Sequence, residues 1–376
     1  MQILWYILGS INVIMWGFGL LLVQQIKKIT ILRKYDPPAL TEPPLVSVIV
    51  AARNEQKAIE RCVDSLMAQS YGKLEVIVVN DRSTDDTGNC LARLQLRHPS
   101  LRIITIGHLP EGWLGKNHAL YQGTLAAKGE WILYTDADIL FAPQTLEKSI
   151  AYSIEHQLDH LTLIPAFTGS HLVSKWYSTF IFLSASAFGM LWKTKDPKAK
   201  NSLGVGAFNL LKRSVYEQIG THQAFAMHTT DDAKLGELVK RHGFKQEVVY
   251  GRDLVEVWNY YESTTQLIRS VEKNVFTFPN AIGVTISCTL TMIYPFFGLF
   301  IGHTGPRILC AIAVLCILLM YAIYSTYAKS RFWYGLFHPY VAFLLILGAL
   351  RGASVSSRGG MTWRGTVYSR EKLNQK

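Results

Sequence analysis

A chain of 376 residues that is 49% hydrophobic, 17% charged and has a mean hydropathy of +0.16 is too apolar for an ordinary soluble protein. It is also too charged for a plain membrane bundle. A formal charge of +11 and a pI near 9.3 suit a polyanion or an anionic bilayer surface. The basic residues gather beside apolar runs rather than in one aromatic-interleaved stripe, which favours a membrane and leaves no nucleic-acid partner.

Ile3 to Val23 carries no charge, is long enough to cross the hydrocarbon, and has neither a basic stretch before it nor a small-residue cleavage site after it. Residues 1–26 are therefore expected to form an uncleaved transmembrane anchor. Lys27, Lys28, Arg33 and Lys34 follow, and the positive-inside rule places the next domain in the cytoplasm. Residues 27–44 read as a basic, proline-rich linker, with Pro37, Pro38, Pro43 and Pro44 as a stiff spacer that lifts this domain off the bilayer. The five cysteines, Cys62, Cys90, Cys288, Cys310 and Cys316, show no metal or disulfide spacing and point to a reducing compartment.

From Leu45 the pattern becomes that of a soluble α/β domain. Leu45 to Ala51 is a buried-strand run that ends at Arg53 and Glu55, and an amphipathic helix continues to Gln69. Glu75 to Val79 is a second strand, ending in the polar stretch Asn80 to Thr87, and Arg102 to Ile106 a third. Strand, helix, strand, helix, strand predicts a Rossmann-like doubly wound, mostly parallel sheet, whose ligands sit at the carboxyl ends of the strands. Gly112 to Ala119 is a glycine loop that carries Lys116 into a helix N-terminus, a place to neutralise a diphosphate; its spacing is not that of an ATP-binding P-loop. His118 reads as a structural helix residue. Trp131 to Tyr134 is a strand running into Asp136 and Asp138, which, two residues apart, can face one hard cation together with phosphate oxygens.

Val-Ser-Val-Ile-Val-Ala-Ala-Arg-Asn-Glu, Val-Val-Asn-Asp-Arg-Ser-Thr-Asp-Asp-Thr, Gly-Lys-Asn-His-Ala and Asp136-Ala-Asp138, in that order, resemble a family 2 glycosyltransferase of GT-A fold. Ala52 stands where that family often has Pro. The resemblance covers roughly Val46 to Arg269 and implies a nucleotide-sugar site. In it Asp81 recognises the base, Asp136 and Asp138 hold a divalent metal (Mg2+ or Mn2+) and the diphosphate, and Arg53, Glu55 and Lys116 line the same cleft. His228 to Gly236 opens a helix that reaches Arg241 and stops at Gly243. Its first-turn acids resemble the family's Glu-Asp motif, Asp231 standing for the Glu and Asp232 for the catalytic aspartate that would take the acceptor's proton. Gln266 to Ser270 resembles the Gln-x-x-Arg-Trp signature without its Trp, with Gln266 at the donor and Arg269 balancing the departing diphosphate.

Trp176 to Trp192, apolar and lysine-flanked, is expected as an interfacial helix within the 45–275 domain, guiding a lipidic acceptor, and Asn201 to Lys212 as a small-residue turn near the sugar. Residues 276–350 contain three apolar blocks, Ala281 to His303, Arg307 to Ala328 and Phe332 to Leu350, before a basic tail, 351–376. Four full crossings would leave that tail outside, so one block, the first with its Pro279 and Pro295, is expected to be re-entrant or interfacial. Met361 to Tyr368 resembles the ending of lipid-directed family members, and Gly112 to Gly123 their carotenoid-directed group. The resemblance thus implies an integral membrane enzyme that inverts the anomeric centre while moving a hexose from UDP-glucose to a hydrophobic lipid or carotenoid acceptor. The alternatives are transfer to ceramide, sterol, hopanoid or glycerolipid, a polysaccharide synthase, or a membrane protein that only binds nucleotide sugar.

Overall fold

The computed structural model describes residues 2–168, 171–258, 261, 263–272, 278–357, 361–363 and 366–368. Arg358, Arg364, Arg370, Lys372 and Lys376 of the tail lie outside the described residues. Among the described residues, ten strands build the two larger sheets: β1 Val46–Ala52, β2 Leu74–Asp81, β3 Arg102–Ile106, β4 Trp131–Asp136, β5 Ile139–Phe141, β6 His160–Ile164, β7 Ala166–Thr168, β8 Asn209–Lys212, β9 Gln246–Tyr250 and β10 Val255–Trp258. The helices up to α9 are α1 Gln2–Val23, α2 Ile59–Met67, α3 Thr87–Arg97, α4 Gly115–Ala126, α5 Thr145–Glu155, α6 Leu172–Ala187, α7 Arg213–Gln218, α8 Asp231–Arg241 and α9 Thr264–Glu272. After them come α10 Phe278–Ser287, α11 Tyr294–Phe297, α12 Thr304–Tyr327 and α13 His338–Ser357.

The main sheet has the order β3-β2-β1-β4-β8-β6-β9, and β5, β10 and β7 form a second, three-stranded sheet. β1 pairs in parallel with both β2 and β4, as continuous Val/Ile runs buried on both faces require. β8 is antiparallel to β4 and β6. The doubly wound, mostly parallel architecture expected from the sequence is present. Its switch in direction, β1 flanked by β2 and β4, puts the ends of all three strands on one rim.

Under that rim β6, β8 and β9 are tied by a buried polar cluster. His160 Nε2 lies 3.0 Å from Asn209 Oδ1, and Gln246 Nε2 donates to His160 Nδ1 at 2.7 Å and to the Gly236 carbonyl at 3.0 Å. Leu203 N–H donates to Gln246 Oε1 at 3.1 Å. These bonds suit a neutral imidazole, and burial lowers His160 to about 4. His222, buried against Tyr216 and repelled by Lys116, is lowered to about 3. The unfolded chain therefore binds more protons than the folded one once pH falls below about 6.5. Stability is full above that pH and is lost on the way down toward 4 and 3, by about 2 kcal/mol per histidine at pH 5. Melting of the detergent-solubilised protein should show a clearly lower Tm at pH 5 than at pH 7.5; equal values would contradict the buried neutral assignments.

Four stretches, Gln2–Lys28, Asn280–Phe297, Thr304–Tyr327 and Phe332–Val355, are long and apolar enough to cross a membrane. Gly9 and Gly19 let α12 approach α1 side by side: a Cβ at Gly9 would meet Leu309 at 2.9 Å and one at Gly19 Met320 at 3.1 Å. α10 and α11 run the other way along α1, with Asn12 bonded to the Leu290 carbonyl at 3.0 Å and Tyr294 stacked on Trp5. The block with Pro279 and Pro295, expected to be re-entrant or interfacial, is helical from Phe278 to Phe297 and turns over residues 298–303. Pro295 sits at the start of α11, where its missing N–H costs little, and a π-turn over Cys288–Ile293 absorbs the misfit. α13 is the helix that doubles back. It starts beside Trp16, Phe180 and Tyr321 and ends with Gly348 against Val271 of α9 and Arg351 paired to Glu272.

The chain leading into the linker packs on the sheet. Ile26, Ile29 and Leu32, three apart, are buried, Tyr250 N–H donates to the Thr30 carbonyl at 2.8 Å, and Ile31 bridges to β9. Apolar spacing before the prolines outweighs their stiffness. α6 is likewise inserted between sheet and bundle, Trp176 stacking on Phe337 at 3.8 Å and Leu183 and Ala187 joining the core shared by Tyr250, Ile317 and Met320.

Candidate active site

The loops after β1 and β2 interlock before any functional group is placed. Asn54, in the left-handed region at φ 57°, accepts from Thr84 N–H at 2.8 Å, Glu55 N–H donates to Thr87 Oγ1 at 2.8 Å, and Gln56 Oε1 accepts from Asp86 N–H at 2.8 Å. The short polar residues of 80–87 thus serve as cross-braces between two strand ends.

Asp136 ends β4 and Asp138 follows in the turn to β5, its carbonyl accepting from Trp258 N–H at 3.1 Å. Cys62 lies beneath them, its Sγ 3.7 Å from the Asp136 carbonyl; burial pushes its thiol up, and the charges of Asp138, Asp136 and Glu55 push it further. Lys116, one residue into α4, reaches Asp136 Oδ1 at 2.8 Å and Asp231 Oδ2 at 3.3 Å. Burial alone would lower the ammonium, but Asp136, Asp231 and Asp232 outweigh it and hold Lys116 above the ordinary lysine range. Its neighbour Asn117 donates to the carbonyls of Phe225, Ala226 and His228 at 3.0, 3.0 and 3.1 Å. That fixes the segment leading into α8 and delivers Asp231 to Lys116. Asp231 is buried, which raises it to about 6, with Asp232 and Asp136 adding to the rise against Lys116.

Gly206 joins the two acid pairs. Its N–H donates to Asp232 Oδ2 at 2.8 Å, its carbonyl accepts from Asp136 N–H at 3.0 Å, and a Cβ there would lie 2.4 Å from Asp136 Oδ2. The small-residue turn expected at 201–212 is therefore the floor between Asp136 and Asp232. It lies flush on α8: a Cβ on Gly204 would come 1.8 Å from the Asp232 carbonyl oxygen. Gly204→Ala is expected to destabilise the fold by roughly 1–3 kcal/mol and to lower turnover, read as a Tm drop with a fall in kcat. An unaltered variant would mean the loop is free to move away.

Asp81 is buried and paired. Arg82 Nε and Nη2 grip its two oxygens at 2.7 and 3.0 Å, and Arg53 stands 4.0 Å away. Gly115 abuts both, so this pair and the acid cluster meet at the N-terminus of α4. Gln266 and Arg269 are exposed on α9, and among the described residues no ion pair ties Arg269 to the acids. Arg82 and the His160–Gln246 cluster were not anticipated: the first sits next to its partner in sequence but depends on an unusual φ, and the second joins residues far apart in the chain.

Among the described residues no three ligating side chains converge on one point. Asp136 and Asp138 still fit a divalent cation, since two hard carboxylates plus phosphate oxygens make the donor set Mg2+ and Mn2+ take, and the bare Cα of Gly206 keeps Asp136 uncovered.

Comparison with known proteins gives three findings. Residues 47–220 match the family described as Glycosyl transferase family 2. A 4,4'-diaponeurosporenoate glycosyltransferase of Staphylococcus aureus (strain USA300) is 25% identical over 290 residues, 76% of this chain and 74% of the relative; the protein of that name from strain bovine RF122 is 27% identical over 237 residues, 62% and 61%. The structure of the mannosyltransferase PcManGT from Pyrobaculum calidifontis, in complex with GDP-Man and Mn2+, aligns over 94% of this chain and 99% of its own at a TM-score of 0.54 and 20% identity. That likeness shows the fold.

Proposed function

We propose that this protein, whose residues 47–220 match the Glycosyl transferase family 2 model, is a glycosyltransferase that moves a hexose, glucose from UDP-glucose, onto an apolar carotenoid-type acceptor at the cytoplasmic membrane face. The observation that carries this reading is the meeting of Asp136, Lys116, Asp231 and Asp232 around Gly206 at the strand ends. The acceptor class follows the name of the Staphylococcus aureus relatives, whose "-oate" is a carboxylate, and the four apolar helices beside the catalytic sheet.

Asp136 and Asp138 would hold the divalent ion, which when bound supplies charge neutralisation for the diphosphate. Lys116 adds a second positive charge where the leaving group's charge grows. Asp231 keeps Lys116 pointed there. With a hydroxyl acceptor, Asp232 accepts its proton while that oxygen forms its bond to the anomeric carbon; a carboxylate acceptor, already ionised, forms the same bond without that transfer. The anomeric C–O bond to the diphosphate breaks on the opposite face, so one displacement inverts the configuration and releases the nucleoside diphosphate. Arg53, Glu55, Gln266 and Arg269 line or approach the donor side in this reading. Mass spectrometry of lipids from cells with and without the gene should show one hexose added to an apolar parent; an unchanged lipid profile, together with no UDP release on adding lipid extract, would refute it.

The contacts of α13 support three crossings, by α1, α10–α11 and α12, with α13 returning the tail to the side of the catalytic domain. A reporter fused after Lys376 should then be active only in the cytoplasm, which also satisfies the basic tail; an external signal would place α13 across the bilayer.

A further inference from the structure

Beyond the end of α1 two short turns, Gln24–Lys28 and Leu191–Lys193, pack on each other. Ile26 of the first shares a buried core with Leu191 and Trp192 of the second, so apolar contacts set their spacing. The lysines are left outside: Lys27, Lys28, Lys193, Lys195, Lys198 and Lys200 are all exposed. Lys195 is tied to the junction, its ammonium donating to the Lys28 carbonyl at 3.3 Å and standing 3.7 Å from Glu247. The other five ammonium groups have no ion-pair partner among the described residues. Asp196, the one acid in residues 193–200, is spent on the turn itself. Its Oδ1 accepts from Lys198 N–H at 2.9 Å, and its carbonyl accepts from Ala199 N–H at 3.1 Å and from the Lys240 ammonium at 2.6 Å. Lys240 also donates to the Thr194 carbonyl at 2.6 Å. It stands in the last turn of α8, the helix that carries Asp231 and Asp232 in its first turn. The segment 193–200 is therefore a shaped turn, and it runs straight into residues 201–206, the floor under Asp232.

We propose that these lysines form a docking face for the headgroups of anionic phospholipids, and that bound headgroups steady the 193–206 segment beneath Asp232. Five cations without partners on two adjoining turns repel one another, and an anionic counter-charge relieves that repulsion. The bilayer is its source, because the apolar stretch Gln2–Lys28 ends in this face. Lysine stems there lie along the apolar rim while their ammonium groups reach the phosphates. That all six are lysines fits the same partner: compact point charges suit a mobile headgroup, whereas arginine forks suit a fixed, bidentate ligand. The proposal rests on the seating of the apolar helices in a bilayer and is independent of the sugar and acceptor named above.

Two measurements on the full-length protein test it. From detergent containing equimolar phosphatidylglycerol and phosphatidylcholine, the wild type is expected to retain the anionic lipid by about threefold or more over the zwitterionic one, counted by native mass spectrometry. The preference should shrink as salt is raised. The triple variant Lys193→Gln/Lys198→Gln/Lys200→Gln, which leaves the Lys195 contacts in place, should lose most of the preference at an unchanged Tm. Lys27→Gln/Lys28→Gln should act in the same direction. In nanodiscs, amide hydrogens of residues 193–206 should exchange more slowly when phosphatidylglycerol is present than in phosphatidylcholine alone, and alike in both discs for the triple variant. Equal retention of the two lipids, a folded triple variant that keeps the wild-type preference, or exchange over 193–206 that ignores phosphatidylglycerol would overturn the proposal. Each of those results would leave the glycosyl-transfer reading standing.

Discussion

Asp138→Ala is expected to lower kcat by about a hundredfold or more with the fold intact, and Asp136→Ala to do the same. A diphosphate leaves only if its growing charge is met, and Lys116 alone supplies one positive charge where two or three are needed. The two variants should differ in one respect. Asp136 also holds Lys116 at 2.8 Å, so its loss releases the ammonium toward Asp231, and the rate should fall further than for Asp138. The check is UDP release with lipid extract in Mg2+ and in Mn2+, with Tm as the control. If Asp138→Ala turned over normally in a chelator-treated assay, no divalent ion would be held there.

Asp232→Asn separates acceptor chemistries. The change is isosteric, and the amide oxygen can still accept from Gly206 N–H, so the floor of the site should persist. With a hydroxyl acceptor, loss of the general base should cost about 10²–10⁴ in kcat. A carboxylic acid acceptor has a pKa of roughly 4–5 and is already ionised at neutral pH, so there the loss should stay within about tenfold. Measured on both kinds of acceptor, the variant decides whether Asp232 moves a proton or only positions the floor. An equal, small effect on both would deny it the role of base.

The sheet was readable because Val/Ile runs at β1 and β2 and the apolar run Trp131 to Tyr134 at β4 end abruptly in polar turns, and a parallel sheet leaves few other ways to bury such runs. Asp136, Asp231 and Asp232 were readable as acids at element ends, and the structure brings all three to Lys116 or Gly206. What escaped were features set by geometry rather than pattern. Asp81 was expected at the donor's base; the grip of Arg82 on its two oxygens, made from a left-handed backbone at residue 82, was not foreseen. The prolines of the linker suggested a spacer from the bilayer, and the burial of Ile26, Ile29 and Leu32 just before them was not foreseen. Pro295 suggested a break in the membrane block, and a π-turn accommodated it. Arg269 had only a truncated signature behind it and lies exposed on α9.

The strip of chain from Val23 to Leu32 is built into the rim of β9 and shares one interior with α6 and α12. The sheet and the apolar helices are thus joined rigidly rather than by a tether. Under the proposed transfer to an apolar acceptor in a bilayer, the reaction centre would stand at a height fixed by folding, and selection among acceptors would begin with how far each one protrudes.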